Sequence, residues 1–139
     1  MNLEHALSVI RDAFAFGSGT RFKVFVKGQP TRLKATTQEQ LCLISRKALA
    51  NAVRHSEATH VETEVEYLPR EVRVVIRDNG CGIDPEIVRS GNAHHWGLDA
   101  MRERAEEIGA QLRVWSRPGA GTEVEISLPK ELAASAYAS

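Results

Sequence analysis

The chain lacks a cysteine framework, an excess of charge of either sign and a long apolar run. Its two cysteines, Cys42 and Cys81, cannot build a set of disulfides and form no C-x-x-C pair, so the cytosol is the expected compartment. Eighteen basic residues balance eighteen acidic ones, which excludes the basic field that a nucleic-acid backbone attracts. No apolar stretch approaches the roughly 20 residues of a membrane span, and Met1 to Ile10 lacks the apolar region of a signal peptide.

What is present is typical of a globular protein. The 139 residues are 42% apolar and 26% charged, enough to bury a core without disulfides or a structural metal. We expect one domain over residues 1–130, followed by an alanine-rich tail over 131–139 that frays.

The apolar periodicity predicts the order α, β, α, β, β, α, β, β. This order, with hairpins rather than crossovers, favours an α+β fold: a two-layer sandwich whose mixed, mostly antiparallel sheet is covered on one face by about three helices. Thr36 or Thr37 is the expected cap of the second helix, with Glu39 placed for the reciprocal bond. The expected elements are helices at Leu3 to Phe16, Thr36 to His55 and Gly97 to Ile108, and strands at Arg21 to Lys27, His60 to Tyr67, Glu71 to Arg77, Gln111 to Ser116 and Thr122 to Leu128.

The run Asp78-Asn79-Gly80-Cys81-Gly82 directly follows an apolar strand. Asp78 therefore lies at a strand end where a ligand can reach it, and Gly80 and Gly82 allow φ > 0 and a close approach of the backbone to a flat group. A plain Asp-Asn-Gly turn has the same local sequence, so the turn alone does not establish a site.

Two polar residues interrupt the apolar face of the second helix. At about 100° per residue, Ile44, Ala48, Asn51 and His55 share one face. Asn51 offers a carbonyl oxygen suited to Mg²⁺, and Arg54 and His55 could meet phosphate oxygens. The alternative is a buried asparagine bonded to the backbone and a histidine at the helix end.

The third helix opens at Gly97, after a loop from Ser90 to His95 that we expect to be mobile. Its free N–H groups and positive dipole end suit an anion, so loop and helix start can act as a lid. The alternative is an ordinary helix after a surface loop, with His94 and His95 solvated. Thr122 could offer a hydroxyl to a ligand, or Gly119 to Thr122 is only a hairpin turn.

Taken in order, these pieces resemble the ATP-binding catalytic domain of bacterial two-component sensor histidine kinases, in the superfamily that includes DNA gyrase. The resemblance covers almost the whole chain. It is carried by four segments: LISRKALANAVRHSEATHV resembles the N-box helix, RDNGCGID the first glycine box, HWGLDAMRERAEEIGAQLRVWS the lid and second glycine box, and PGAGTEVEISLP the closing hairpin. The sequence of the third segment most resembles the subgroup whose response regulators carry a helix-turn-helix domain.

The resemblance implies a Bergerat-type fold, the cofactors ATP and Mg²⁺, and a set of roles. Asp78 would accept a hydrogen bond from the adenine amino group, Thr122 would complete the adenine end, and Asn51 would bind Mg²⁺. The remaining nucleotide-binding residues that it implies are Arg54, His55, Gly80, Gly82, Ile83, His95, Gly97, Leu98 and Met101. Such a site suits phosphoryl transfer, where positioning and neutralisation of the γ-phosphate dominate.

One position departs from the family pattern in a way that bears on catalysis. The family usually has a glutamate four residues before the asparagine, where it orients or deprotonates the attacking group, and this chain has Lys47. A lysine is cationic at neutral pH and cannot act as that base. Lys47 could repel the metal, pair with phosphate or turn to solvent. Smaller departures are His94 and Ala100, where glycines are common and whose side chains would stiffen the lid.

The chain shows no phosphoacceptor histidine in a matching context, since His5 precedes the first strand on a single helix. The expected partners are a phosphoacceptor histidine domain of the same parent protein and a response regulator. We expect no direct nucleic acid and no membrane contact by this chain, although the parent could be anchored in the inner membrane. The alternatives are a degenerate nucleotide-binding module without turnover, because of Lys47, and a serine kinase of the anti-sigma-factor type.

Overall fold

The computed structural model describes residues 2–55, 57–84, 86 and 96–135. Within these ranges the elements are α1 (Leu3–Ala15), β1 (Arg21–Lys27), α2 (Ala35–Arg54), β2 (His60–Tyr67), β3 (Glu71–Asp78), α3 (Leu98–Glu107), β4 (Gln111–Arg117), β5 (Gly121–Pro129) and α4 (Lys130–Ala133). The predicted order of elements is confirmed, and α4 is an addition. No described helix combines the length and the apolar character that crossing a bilayer requires.

The five strands form one sheet in the order β1-β2-β3-β5-β4. Only β1 and β2 are parallel, joined by a crossover through α2, and the other neighbours are antiparallel. In the register of β3 with β5, Asp78 lies opposite Thr122. The predicted α+β class with a mixed, mostly antiparallel sheet is confirmed.

The core lies between the sheet and the helices. Alternating strand residues such as Val65 and Val74 are fully buried against Leu41 and Ile44 of α2. Each such side chain contributes about 1.5–3 kcal/mol to folding by leaving water. The opposite sheet face is charged: Glu64 accepts from Lys27 Nζ at 2.9 Å and lies 3.5 Å from Arg77 Nη1. In the part of the chain that the structure describes, the helices therefore cover one face of the sheet.

The predicted cap of α2 is wrong. The helix begins at Ala35 after Lys34, which makes no side-chain capping bond, and Thr37 is buried inside it. The start is instead fixed by the C-terminal segment, because the Lys34 amide donates to the Ala133 carbonyl at 2.9 Å. A tertiary contact has overridden the local capping signal.

The same contact changes the expectation for the tail. Lys130–Ala133 is helical, Ala133 is completely buried, and Ala134 bridges to Leu33. The expectation that the chain frays after Pro129 therefore does not hold for the segment up to Ser135, because this segment closes the core beside α2. Residues 136–139, like the loop from Ser90 to His95 that we expected to be mobile, lie outside the described ranges.

Candidate functional site

A small cavity lies where α2, the ends of β3 and β5, and the start of α3 meet. Its volume is about 10 Å³, the space of about one water molecule. Five residues predicted from the sequence line it together: Asn51, Asp78, Ile83, Leu98 and Thr122. The remaining wall is apolar, formed by Ala48, Ile76 and Val124. The fold thus brings together residues from four segments that the sequence separates.

Asn51 reaches this cavity from α2 and is 7% exposed. Its Nδ2 donates to the Trp96 carbonyl at 2.7 Å, while its Oδ1 is buried and has no hydrogen-bond partner among the described residues. An unsatisfied buried oxygen costs about 1–3 kcal/mol. This amide is fixed through its nitrogen, and its oxygen remains available to a cation or a water molecule.

Asp78 ends β3 at the opposite side of the cavity. Its Oδ1 accepts from the Gly80 amide at 2.9 Å. Burial raises the pKa of Asp78 above its usual value, an effect that hydrogen bonds from the Gly80 and Thr122 backbones partly oppose. The half-buried carboxyl is therefore a fixed acceptor at the inner end of the site.

The turn before β5 braces the loop after Asp78. Gly121 has φ +101°, and a Cβ there would lie 2.0 Å from the Asp78 carbonyl oxygen. The Gly119 amide donates to the Cys81 carbonyl at 2.7 Å. Gly119 to Thr122 is thus a hairpin turn, as one interpretation of the sequence had it, and it also packs against the loop that carries Asp78.

Of the two glycines expected to have positive φ, Gly82 has it, at +78°, and Gly80 does not, and the open side of Gly82 faces β4. A Cβ there would lie 2.4 Å from the Arg117 carbonyl oxygen. Packing against β4 alone therefore requires a glycine at this position.

Two polar residues of the site region were missed by the sequence analysis. Ser116 Oγ accepts from the Ile83 amide and lies 2.9 Å from Thr122 Oγ1. Asn79 Oδ1 accepts from the Thr59 and His60 amides at 2.9 Å each, which ties the loop to the start of β2. Ser116 had a signal, because it continues the inward alternation of Leu112 and Val114 on β4. Asn79 had none beyond its place in the turn.

A second cavity of about 350 Å³ opens on the outer side of α2. It is lined by four of the predicted site residues, Lys47, Arg54, Gly97 and Met101, and by Phe14, Leu43, Arg46, Ala50, Ala100 and Arg104. Lys47 and Arg54 are exposed, whereas Met101 is 1% exposed. Cations therefore rim the outer side of α2, while the acid lies at the inner end of the site.

His55 is the C-cap residue of α2 and lines neither cavity. Its ring contacts the Trp96 ring edge to face, with centroids 4.5 Å apart. Its carbonyl accepts from Cys81 Sγ at 3.4 Å. His55 thus links α2 to the loop after Asp78 and to the segment before α3. The predicted residue His95 lies outside the described residues.

From the inner cavity outward, the polar groups are the Asp78 carboxyl, then the Asn51 amide oxygen, which has no partner among the described residues, and then the cationic side chains of the outer cavity. Such a gradient suits a ligand with a hydrogen-bond donor at one end and negative charge at the other. The inner cavity, at about 10 Å³, is too small for a ring system.

Comparison with known proteins identifies the family of the chain. Residues 36–132 match the family described as "Histidine kinase-, DNA gyrase B-, and HSP90-like ATPase". The nitrate/nitrite sensor protein NarX of Escherichia coli strain K12 is 37% identical over 103 residues, 73% of this chain and 17% of NarX. The sensor histidine kinase LiaS of Bacillus subtilis strain 168 is 34% identical over 101 residues, 73% of this chain and 27% of LiaS. The chain thus spans less than a third of these relatives.

A solved structure has the same fold. The blue-light activated histidine kinase of Erythrobacter litoralis EL346 superimposes with a TM-score of 0.71 at 26% identity, over 93% of this chain and 42% of that one. Fold, sequence relatives and the family match agree. The chain belongs to the histidine kinase-, DNA gyrase B- and HSP90-like ATPases, and within that family it is close to the sensor histidine kinases.

Proposed function

We propose that this chain is the ATP-binding catalytic domain of a sensor histidine kinase, which transfers the γ-phosphoryl group of ATP to a histidine on a separate dimerisation domain of its parent. The observation that carries the proposal is the unsatisfied, buried Oδ1 of Asn51, which shares a cavity with Asp78 and Thr122. A lone amide oxygen between a carboxyl and a group of cations fits a nucleotide with its metal.

The residues present fit Mg²⁺ and ATP on chemical grounds. Asn51 Oδ1 would bind Mg²⁺, a hard cation that accepts one or two protein oxygens and takes the rest from phosphates and water. When bound, Mg²⁺ supplies neutralisation of the phosphate charge. Asp78 would accept the adenine amino group, with Thr122 beside it and Gly80, Gly82 and Ile83 forming the floor.

The outer residues would serve the phosphates. Arg54 and His55 would donate to phosphate oxygens. Gly97 and Leu98 would close over the phosphates, and Met101 would pack beneath these two residues. His95 is proposed for the same region from its sequence position. The work of the chain in this reaction is to bind, orient and neutralise, since phosphoryl transfer needs little covalent chemistry from the protein.

The remaining parts of the proposal concern the parent protein. It would work in the bacterial cytoplasm, from an anchor in the inner membrane, with a helix-turn-helix response regulator as the next acceptor. The alternative of a degenerate module without turnover finds no support among the relatives, which are named as sensors and kinases.

Calorimetry with ADP and ATP, with and without Mg²⁺, tests the binding half of the proposal. We expect both nucleotides to bind and Mg²⁺ to strengthen the binding of ATP. No binding at millimolar nucleotide, which corresponds to an affinity weaker than about 4 kcal/mol, would refute it.

Transfer is tested by adding γ-labelled ATP and the acceptor domain of the parent, followed by acid. Phosphohistidine is acid-labile and phosphoserine is not, so an acid-stable label would favour the serine-kinase alternative. Lys47→Glu in the intact parent would show whether Lys47 limits the rate. A transfer rate that this substitution leaves unchanged would refute a rate-limiting effect of Lys47.

A further inference from the structure

Four cationic side chains surround the outer cavity between the end of α1, α2 and α3. They are Arg46, Lys47, Arg54 and Arg104, above a floor that includes Phe14, Leu43 and Met101. Arg104 donates to Gln40 at 3.2 Å. Among the described residues, no carboxylate forms an ion pair with any of the four. The cavity is therefore a site of uncompensated positive charge.

Lys47 is the one of the four that packs against the start of α3. Its aliphatic chain lies against Gly97, since a Cβ built on that glycine would be 2.3 Å from Lys47 Cε. Gly97 has φ +71° and is the N-cap of α3, where it makes no side-chain capping bond, and the Ala100 amide of the first turn donates to Asp99 Oδ1 at 3.0 Å. Two sources of positive potential, an ammonium and a helix start, thus meet at one point.

Lys47 also stands one helical turn before Asn51, on the same face of α2. The unsatisfied Oδ1 of Asn51 marks where a metal on a nucleotide would sit. A polyphosphate that starts at that metal and runs outward along α2 reaches Lys47 next. The cation is thus placed for the far end of such a chain.

We propose that Lys47 binds the terminal phosphate of the nucleotide, as a positioning residue that distinguishes a triphosphate from a diphosphate. The inference rests on the proposed function, because it assumes that the inner cavity takes the purine. The role is electrostatic, since an ammonium group donates hydrogen bonds and does not accept a proton. Lys47 thereby favours a ligand with charge at the γ position.

The test is the affinity of the full chain for ATP and for ADP, each with Mg²⁺, in wild type and in Lys47→Met. Methionine extends as far as the Cε position that packs on Gly97 but lacks the ammonium group. We expect the dissociation constant for ATP to rise about tenfold, the effect of one charged hydrogen bond, and that for ADP to change less than about twofold. The ratio of the two constants is the readout.

Two variants serve as controls. Lys47→Arg keeps the charge and should keep the wild-type ratio. Arg46→Met removes a neighbouring charge from the same cavity but not from the face of Asn51, and should also keep it. A ratio in Lys47→Met equal to that of wild type, or a change of the ratio in Arg46→Met as large as that in Lys47→Met, would overturn the inference.

Failure of the inference can be told from failure of the proposed function. Wild type that binds neither nucleotide refutes both. Wild type that binds both nucleotides, with a ratio that Lys47→Met leaves unchanged, refutes only the role of Lys47, and the cavity is then better read as a surface for an acidic partner.

Discussion

Asn51 Nδ2 donates a 2.7 Å hydrogen bond to the main-chain carbonyl of Trp96, directly before α3. The bond ties the long helix to the segment that leads into the third helix, and it fixes which end of the amide faces the cavity. The oxygen is left without a partner among the described residues. One side chain therefore has a structural half and a half that is free for a ligand.

Replacing Asn51 with alanine should remove the effect of Mg²⁺ on ATP affinity. Loss of the Nδ2 hydrogen bond to Trp96 lowers the unfolding free energy by about 0.5–1.5 kcal/mol, whereas removal of the unsatisfied Oδ1 raises it, so we expect a net change of no more than about 1 kcal/mol. Calorimetry with and without Mg²⁺ measures the first effect, and urea denaturation the second.

Ser45→Ala is the matched control, because Ser45 is also buried on α2 and its oxygen has no hydrogen-bond partner in the described ranges. It should leave the Mg²⁺ effect intact. A Mg²⁺ effect that persists in Asn51→Ala would rule out the metal role of Asn51.

Asp78→Asn should weaken the binding of ADP and ATP alike, by about ten- to a hundredfold, as expected for loss of a charged acceptor in a buried site. An asparagine side chain keeps the shape and one acceptor for the Gly80 amide. Calorimetry provides the measurement. Unaltered affinity would show that the purine lies elsewhere.

The same substitution should change how stability depends on pH. Because the pKa of folded Asp78 lies above its usual value of 3.8, the unfolded chain releases this proton first as the pH rises. Wild type therefore loses stability as the pH rises from the unfolded-state pKa of Asp78 to the folded-state pKa, and it does not regain that stability at higher pH. The melting temperature of Asp78→Asn relative to wild type should rise between acid and neutral pH. A difference that is flat or falls with pH would contradict the shift.

Gly121→Ala should be far more destabilising than Gly119→Ala. Both glycines have positive φ, but a Cβ at Gly121 would meet the Asp78 carbonyl at 2.0 Å, whereas at Gly119 nothing lies within 4 Å. Gly119→Ala should cost about 1–2 kcal/mol, from the backbone conformation alone. Gly121→Ala should cost more and should also weaken nucleotide binding, because it displaces Asp78. Similar losses in urea denaturation would argue against the close approach.

Asn79→Ala should lower the unfolding free energy by about 1–3 kcal/mol, because three hydrogen bonds to the start of β2 are lost on a partly solvated surface. Asn79→Asp keeps the acceptor oxygen for the two backbone amides and should lose less. Thermal denaturation of the two variants side by side measures the difference. Equal stability of Asn79→Ala and wild type would show that this loop is held by its glycine contacts.

Much of the fold and part of the site could be predicted. Strand bounds at Arg21–Lys27 and His60–Tyr67 agree with the structure because alternation of apolar and polar residues is a local property. The cap of α2 could not be predicted, because the contact of Lys34 with Ala133 lies about a hundred residues away along the chain. Ser116 was missed because its role depends on a strand neighbour, Thr122, and on Ile83.

The sequence by itself determined the order of elements, the strand-end acid at Asp78 and the helix that carries Lys47 and Asn51, since these follow from short-range periodicity and turn chemistry. Only the tertiary structure decided which half of the Asn51 amide is free, that Asp78 and Thr122 face the same cavity, and that Lys47 lies on Gly97. The reason is that hydrogen-bond satisfaction and close approach are relations between distant segments, which no local pattern records.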